Sequence, residues 1–503
     1  MSPDGSEVAF RSNRDGGGIY TISSQGGEAK LLIKGDAFLP SYSPDGTQLA
    51  YAKGSFGSGS FRGNIHVYTR SNGSLRMLAS AVHVAGSMAW SQDGKYLAFA
   101  GAPGIVTPLY LWMCPVDTGM PVKLREKPLQ GEQPLVGHIR TSSVAWFKNQ
   151  LIVSSRNGDS FNLWSLPLTP GVPKPDGELK SITSGSGNEV EPTVSADGKL
   201  IFANHNSSAA IWQATRNKAG SFDPPLRVTD DRSLNYRPSV TSDGSKMAYL
   251  SNRTGNFEVW IRDRKTNQES ALTSTHGLQG VAISHDGSKA GYWDGEGGAT
   301  YSISTSGGEL RQLCKKCSRV DDWTLDGNPI LGFSMNMMDL ATNQTVTIVS
   351  HPDLSVTAAR VSPDGKWLAF HSSEFHDPIK NGVRGKRQVF LVPFNGQTVP
   401  VSSWVAVTDG SAMDREANWS PDGNRIYFLS DRDGSRCIWA RDLDLKTKQP
   451  IGDIFPALHL HNARLSLSHV ANTGYVGISL VEDKLIFSMG ELTGNLWMTE
   501  LTK

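Results

Sequence analysis

The chain has 503 residues, beyond the size at which one hydrophobic core stops growing, so more than one packed body is expected. Its 49 Lys and Arg residues balance 48 Asp and Glu, and no basic stripe could neutralise a row of phosphates, which argues against nucleic acid as a partner. No apolar run reaches the roughly 18 residues of a membrane-spanning helix.

In chain order, the tetrapeptide Ser-x-Asp-Gly and its Thr variant recur from one end to the other. The copies start at Ser2, Ser43, Ser91, Ser195, Thr241, Ser284, Thr324, Ser362 and Ser420. Self-similarity at this period marks a repeat architecture. Asp-Gly between apolar runs is a hairpin signal, because Gly takes up the positive φ of a tight turn without steric cost. The repeat spanning Asn418 to Asp444 shows the unit. Trp419 ends one strand, Arg425 to Ser430 forms a second, and Asp431-Arg432-Asp433-Gly434 turns into a third, Cys437 to Arg441. A weaker fourth strand is expected before the next repeat, which makes the unit a propeller blade.

The second turn also recurs, as Ser12-Asn13-Arg14-Asp15-Gly16 and Ser251-Asn252-Arg253-Thr254-Gly255. Third strands carry an aromatic at a fixed place: Tyr20, Tyr68, Trp112, Trp164, Trp212, Trp260, Trp439 and Trp497. This series is read as core, packing one blade on the next. With two decayed copies the count is eleven units of about four strands. The fold expected is therefore all-β, a β-propeller with almost no helix. Rings usually close with about 4 to 8 blades, so two in tandem are expected, residues 1–276 and 277–503, with the boundary near Thr275-His276-Gly277. A single large ring is the alternative. The chain starts inside a blade and stops after a third strand, as a segment of a longer polypeptide would, so the lack of a signal peptide in it does not assign a compartment.

The string Ser-Pro-Asp-Gly-x-x-Leu-Ala-Phe/Tyr, at Ser362 to Phe370 and Ser43 to Tyr51, resembles the propeller repeat of the TolB-like family, and that likeness covers nearly the whole chain. Three narrower stretches, Thr408 to Glu416, Arg436 to Ala440 and Met489 to Trp497, resemble the C-terminal propeller region of soil-bacterial regulators. There the propeller follows a serine/threonine kinase or winged-helix domain. The resemblance implies a sensory or scaffolding role in a bacterial signalling protein. The landmarks of a kinase are themselves absent from the sequence.

Four groups of residues offer chemistry. Acidic residues precede several first strands, among them Asp36, Glu189, Glu191, Asp321, Asp322, Asp414 and Glu416, with Arg237 and Arg415 in similar places. Such connections gather round one mouth of a propeller channel, and rigidly held loops are where binding residues concentrate. The expected ligand or partner rim is Asp36, Glu189, Asp321, Asp414, Arg415 and Glu416; a solvated, charge-balanced rim is the plainer account.

Cys314-Lys315-Lys316-Cys317 can form a redox pair or a small disulfide. His371 to Asp377, placed in the longest insertion, has donor types suited to a metal but no metalloprotease spacing. His459-Leu460-His461 alternates along a strand, so both rings face one side, and His469 follows. Propeller lyases similar to the TolB-like fold cleave acidic sugars with clustered histidines on a metal.

No catalytic residues, cofactor or bound metal are expected from these patterns. The leading expectation is a non-catalytic module that binds a protein or peptide through its loop faces. The alternatives are a metal-dependent lyase, the gating propeller of a peptidase, and an envelope protein of the Tol type.

Overall fold

Each Ser-x-Asp-Gly motif closes its hairpin with several layers of hydrogen bonds. In the second copy, Gly46 N donates to Ser43 O at 2.9 Å and Ser43 N to Gln48 O at 2.9 Å. The Ser43 hydroxyl donates to Asp45 Oδ1 at 2.6 Å and accepts from Gln48 N at 2.9 Å. Asp45 Oδ1 also accepts from Thr47 N at 3.1 Å. Serine and threonine recur at the first position because the turn needs one group that both donates and accepts. Glycine recurs at the fourth because φ there is positive, +72° at Gly46 and at Gly365.

The computed structural model describes the chain apart from residues 13, 15–16, 58–59, 104–108, 130–142, 158–159, 171–173, 186, 219, 232, 275–277, 296, 309, 333–334, 375–386, 463, 468–469, 471–475 and 502–503. The described residues form antiparallel sheets, with a short 3-10 turn at Val401–Ser403. The chain is a β-propeller protein. It divides into two compact units: Met1–Asn206 with Asp377–Arg384 and Thr493–Lys503, and Ser207–His376 with Gly385–Leu492.

The first unit holds a three-stranded sheet over 7–34 and an eight-stranded sheet over 37–123. In the larger sheet two repeats are joined by the single pair Gly63↔Val84. A four-stranded sheet over 144–181 follows.

The second unit holds five four-stranded sheets, over 235–271, 278–314, 320–347, 354–406 and 415–458. The expected weak fourth strand of the last repeat is Pro450–Leu458. A composite sheet draws on both ends of this unit's sequence: Ser479–Val481 and the start of Lys484–Glu500 lie beside the end of Lys199–Thr215 and Leu226–Arg227. Arg216 N donates to Asp483 O at 2.6 Å across that junction, and Ile211, Met247, Tyr249, Val481 and Ile486 pack as one cluster over it. Pairing early strands with late ones removes exposed sheet edges from the ring.

The boundary expected at Thr275-His276-Gly277 falls outside the described residues, and its flanking strands Glu269–Ala271 and Leu278–Ile283 both belong to the second unit. The units divide in sequence at Asn206/Ser207, inside Lys199–Thr215. Trp212, expected in a separate third strand, lies in this one continuous strand, because His205-Asn206-Ser207-Ser208 offers no glycine for a turn and stays extended. Likewise Asn495 to Met498 continues the strand Lys484–Glu500, which leaves Trp497 54% exposed rather than in the core. His371 lies not in an insertion but in the strand Trp367–Glu374, and the residues after it, Phe375 to Asp377, are outside the described set.

Candidate functional site

The first strand of most repeats carries a bulge four residues before the turn serine or threonine. In the second unit the register shifts between Tyr236 and Ser239, Thr357 and Arg360, and Arg415 and Asn418. At these bulges Arg237, Ala358 and Glu416 have φ of 56°, 60° and 51°. Left-handed backbone costs about 1–2 kcal/mol for a side-chain-bearing residue. A bulge kinks the strand and re-aims the side chains beside it, and here it brings charged residues from different repeats together.

Asp321 is the hub of this cluster and is only 2% exposed. Its Oδ1 accepts from Arg319 Nε at 2.7 Å and lies 3.6 Å from an Arg237 nitrogen. Its Oδ2 accepts from Ala358 N at 2.7 Å and Ala359 N at 3.2 Å. Burial alone would raise the Asp321 carboxyl, but the guanidinium groups of Arg319, Arg237 and Arg360 outweigh it and hold the group below the usual carboxylate range. Arg360 donates to the carbonyls of Asp321 at 2.5 Å and Ala359 at 2.8 Å. Asp322 Oδ2 accepts from Val361 N at 2.8 Å.

Glu416 lies 4.0 Å from Arg319, and its backbone N–H points to His371 Nδ1 at 3.4 Å. His371 is buried, and its pKa is pushed well down, first by burial and then by Arg387, Arg415, Arg319 and Arg360. The ring is therefore neutral at pH 7. Burial also depresses Arg415 and Arg387, and it lowers Arg237 to about 9, with Arg319 adding to the effect. Asp431 and Arg436 join through Arg415. Among the described residues the cluster thus holds six arginines (237, 319, 360, 387, 415, 436) against four carboxylates (321, 322, 416, 431).

The expected rim is only partly assembled. Asp321, Arg415 and Glu416 belong to this cluster, where Asp321 and Glu416 are buried rather than solvated and Arg415 is partly buried. Asp414 is 0% exposed and accepts two hydrogen bonds from Arg432, at 3.0 and 3.1 Å. Asp36 and Glu189 lie in the first unit. There Glu189 accepts from Asn162 Nδ2 at 3.1 Å and from the Thr183 hydroxyl, and Asp36 is likewise buried.

The Arg432 contact explains the second recurring turn. The Arg432 guanidinium sits 5.2 Å from the Trp439 ring centroid, and its Nε donates to Ser430 Oγ at 3.1 Å. Arg253 repeats this with Trp260 at 4.2 Å, Ser251 at 3.1 Å and Asp231 at 2.9 Å. The aromatic of the third strand, the turn arginine and an aspartate before the first strand form one unit, in which each cation–π contact contributes about 0.5–2 kcal/mol.

Cys314 and Cys317 form a disulfide at the end of the outer strand Arg311–Cys314, and Cys114 and Cys437 are free and buried. His459 and His461 follow Pro450–Leu458, with ring centroids 5.0 Å apart, and Asp433 of the neighbouring turn joins them. His469 is outside the described residues. Sequence reading did not single out Arg319, Arg360, Arg432 or Asp433. The constant four-residue offset from the turn serine would have marked the bulges, but it does not reveal which charges meet.

A cleft of about 720 Å³ in the second unit is lined by Arg216, Phe222, Arg425, Tyr427, Phe455 and His459, among others.

No protein-family profile matches the chain, and no curated protein matches it in sequence. Among solved structures it is similar to a putative TolB from Agrobacterium tumefaciens, at 18% identity over 56% of this chain and 98% of that one, with a TM-score of 0.40. It is also similar to TolB from Acinetobacter baumannii, at 17% identity over 61% of this chain and 65% of that one, TM-score 0.26. A third likeness is to the β-propeller domain of the Trilobed protease from Pyrococcus furiosus, at 14% identity over 62% and 92%, TM-score 0.27. The propeller assignment rests on the sheets described above.

Proposed function

We propose that this chain is a non-catalytic binding module whose second unit takes a carboxylate-rich segment of a protein or peptide partner. The observation that carries the reading is the excess of arginine over carboxylate in the bulge cluster. Guanidinium groups pair with carboxylates in planar, bidentate geometry, and an arriving anion would offset the mutual repulsion of buried cations. Arg319, with 16% of its side chain exposed, and the half-buried Arg360 and Arg436 are the groups within a ligand's reach. The non-catalytic part is supported by how the titratable groups are engaged: Asp321 receives backbone and arginine donors, and Asp414 is held by Arg432. The likeness of Thr408 to Glu416 and of Arg436 to Ala440 to bacterial regulators supports placing the module as the sensory or scaffold part of a signalling protein.

The test is fluorescence anisotropy with a labelled hexaglutamate peptide and a hexaglutamine control. A charge-assisted hydrogen bond contributes about 1.5–3 kcal/mol, so Arg360→Gln and Arg436→Gln should each weaken glutamate binding about tenfold or more. Equal binding of the two peptides, or variants that bind like the parent protein, would refute the proposal.

A further inference from the structure

The second turn of the last repeat and the chain leaving its outer strand meet in a group that the binding reading does not use. Asp433 Oδ2 lies 2.9 Å from His461 Nε2 and 3.6 Å from His459 Nε2. One donor atom from each of the three residues can be chosen so that all lie within 4.8 Å of one another. We propose that Asp433, His459 and His461 form a binding site for a divalent transition metal ion of the zinc class.

Distances carry the argument first. Tetrahedral ligation at about 2.0–2.1 Å sets neighbouring donor atoms about 3.3 Å apart, and the two imidazole–carboxylate separations bracket that value. Two histidines and one carboxylate are also a donor set that suits zinc, iron, cobalt and nickel.

Orientation carries it further. The two imidazoles lie side by side, centroids 5.0 Å apart and planes 14° from parallel, with both Nε2 edges turned to one carboxylate oxygen. Two protonated rings so close would repel, whereas a shared cation is attracted to all three groups. The chain between the rings is held in place, since Leu460 N donates to the sulfur of buried Cys437 at 3.4 Å. Trp439 packs on His459 with centroids 5.2 Å apart, so His459 is held between Trp439 and His461. The donors are thus pre-positioned before any ion arrives, which lowers the ordering cost of binding.

The site is also reachable. The side chains of His459, His461 and Asp433 are 44%, 45% and 22% exposed, so water or a ligand donor can complete the coordination. His459 lines the cleft of about 720 Å³, which places the ion at the cleft wall. Such an ion would tie the Asp431 to Gly434 turn to the end of Pro450–Leu458 within one repeat.

The experiment uses the full chain, stripped with chelator and kept oxidised so that Cys314 and Cys317 offer no thiolates. It is titrated with Zn²⁺ by calorimetry and with Co²⁺ by visible absorption. The expected result is one ion per chain, with an intense cobalt band of low coordination number. His461→Ala and Asp433→Asn should each weaken binding at least tenfold. Circular dichroism of the metal-free variants should match the parent protein, because the substituted side chains reach solvent. If His461→Ala does not fold, the isosteric Asp433→Asn decides. Failure to bind one ion per chain, or affinity left unchanged by either substitution, overturns the site. Neither result bears on hexaglutamate binding at the bulge cluster, so the two proposals stand or fall separately.

Discussion

Replacing Asp321 by Asn keeps the shape of the hub and removes its charge. The wild-type carboxylate takes donors on both oxygens: Arg319 at 2.7 Å, with Arg237 at 3.6 Å, on one, and the Ala358 and Ala359 amides on the other. The Asn side chain presents one NH₂ where only acceptors are wanted, and it leaves buried guanidinium groups without their anion. Removing one partner of a buried ion pair costs about 3–5 kcal/mol, and about 1.4 kcal/mol is a factor of ten in an equilibrium. Local opening of the strand Leu354–Val361, which carries the two amides, should therefore rise about a hundredfold or more. Hydrogen exchange read by mass spectrometry on peptides covering 354–361 measures this directly, without requiring that a chain of this size unfold in one step. Exchange within threefold of the parent protein would refute the view that Asp321 organises the cluster.

Other outcomes follow from the turns and the motif arginines. Gly365→Val should cost at least about 1 kcal/mol, because valine resists left-handed backbone, here at a φ of +72°; the new Cβ would also meet Leu325 Cδ1 at 2.8 Å. An unchanged urea midpoint would mean that the turn tolerates a β-branched residue. The Ser or Thr hydroxyl of the turn holds its aspartate carboxyl down, to about 2 at Asp4, Asp243 and Asp286 and in the same direction at Asp45, Asp93 and Asp197. A depressed folded-state pKa gives stability that is present above the unfolded value, near 4, and is lost as pH falls toward 2. Urea midpoints should accordingly drop across that window, and a flat profile there would count against the turn chemistry. Arg432→Ala leaves the Asp414 carboxylate buried and unpaired, at a cost of about 3–5 kcal/mol. Adding Asp414→Asn should recover part of that loss, and strict additivity in the double-mutant cycle would show that the pair is not coupled.

Local chemistry wrote much of this protein into its sequence. The Ser-x-Asp-Gly turns, the strands on either side and the third-strand aromatics depend on residues within about six positions of one another, so a reader of the sequence meets cause and effect together. Trp497 shows the limit of that reasoning: it repeats the aromatic pattern, yet 54% of it is exposed, because its strand runs on from Lys484 without a turn. What tertiary structure decided is which charges meet. Asp321 reaches Ala358 across 37 residues and lies beside Arg237 of another repeat. Asp414 faces Arg432, and Asp433 joins His461 across 28 residues. A bulge of one residue sets each of the inner-strand encounters by re-aiming side chains. Hydrophobic periodicity fixes a strand's faces but is silent on where another repeat's arginine lies, so Asp321 and Asp414 are legible in the sequence as acidic residues beside first strands, while only the tertiary structure buries them and sets arginines against them.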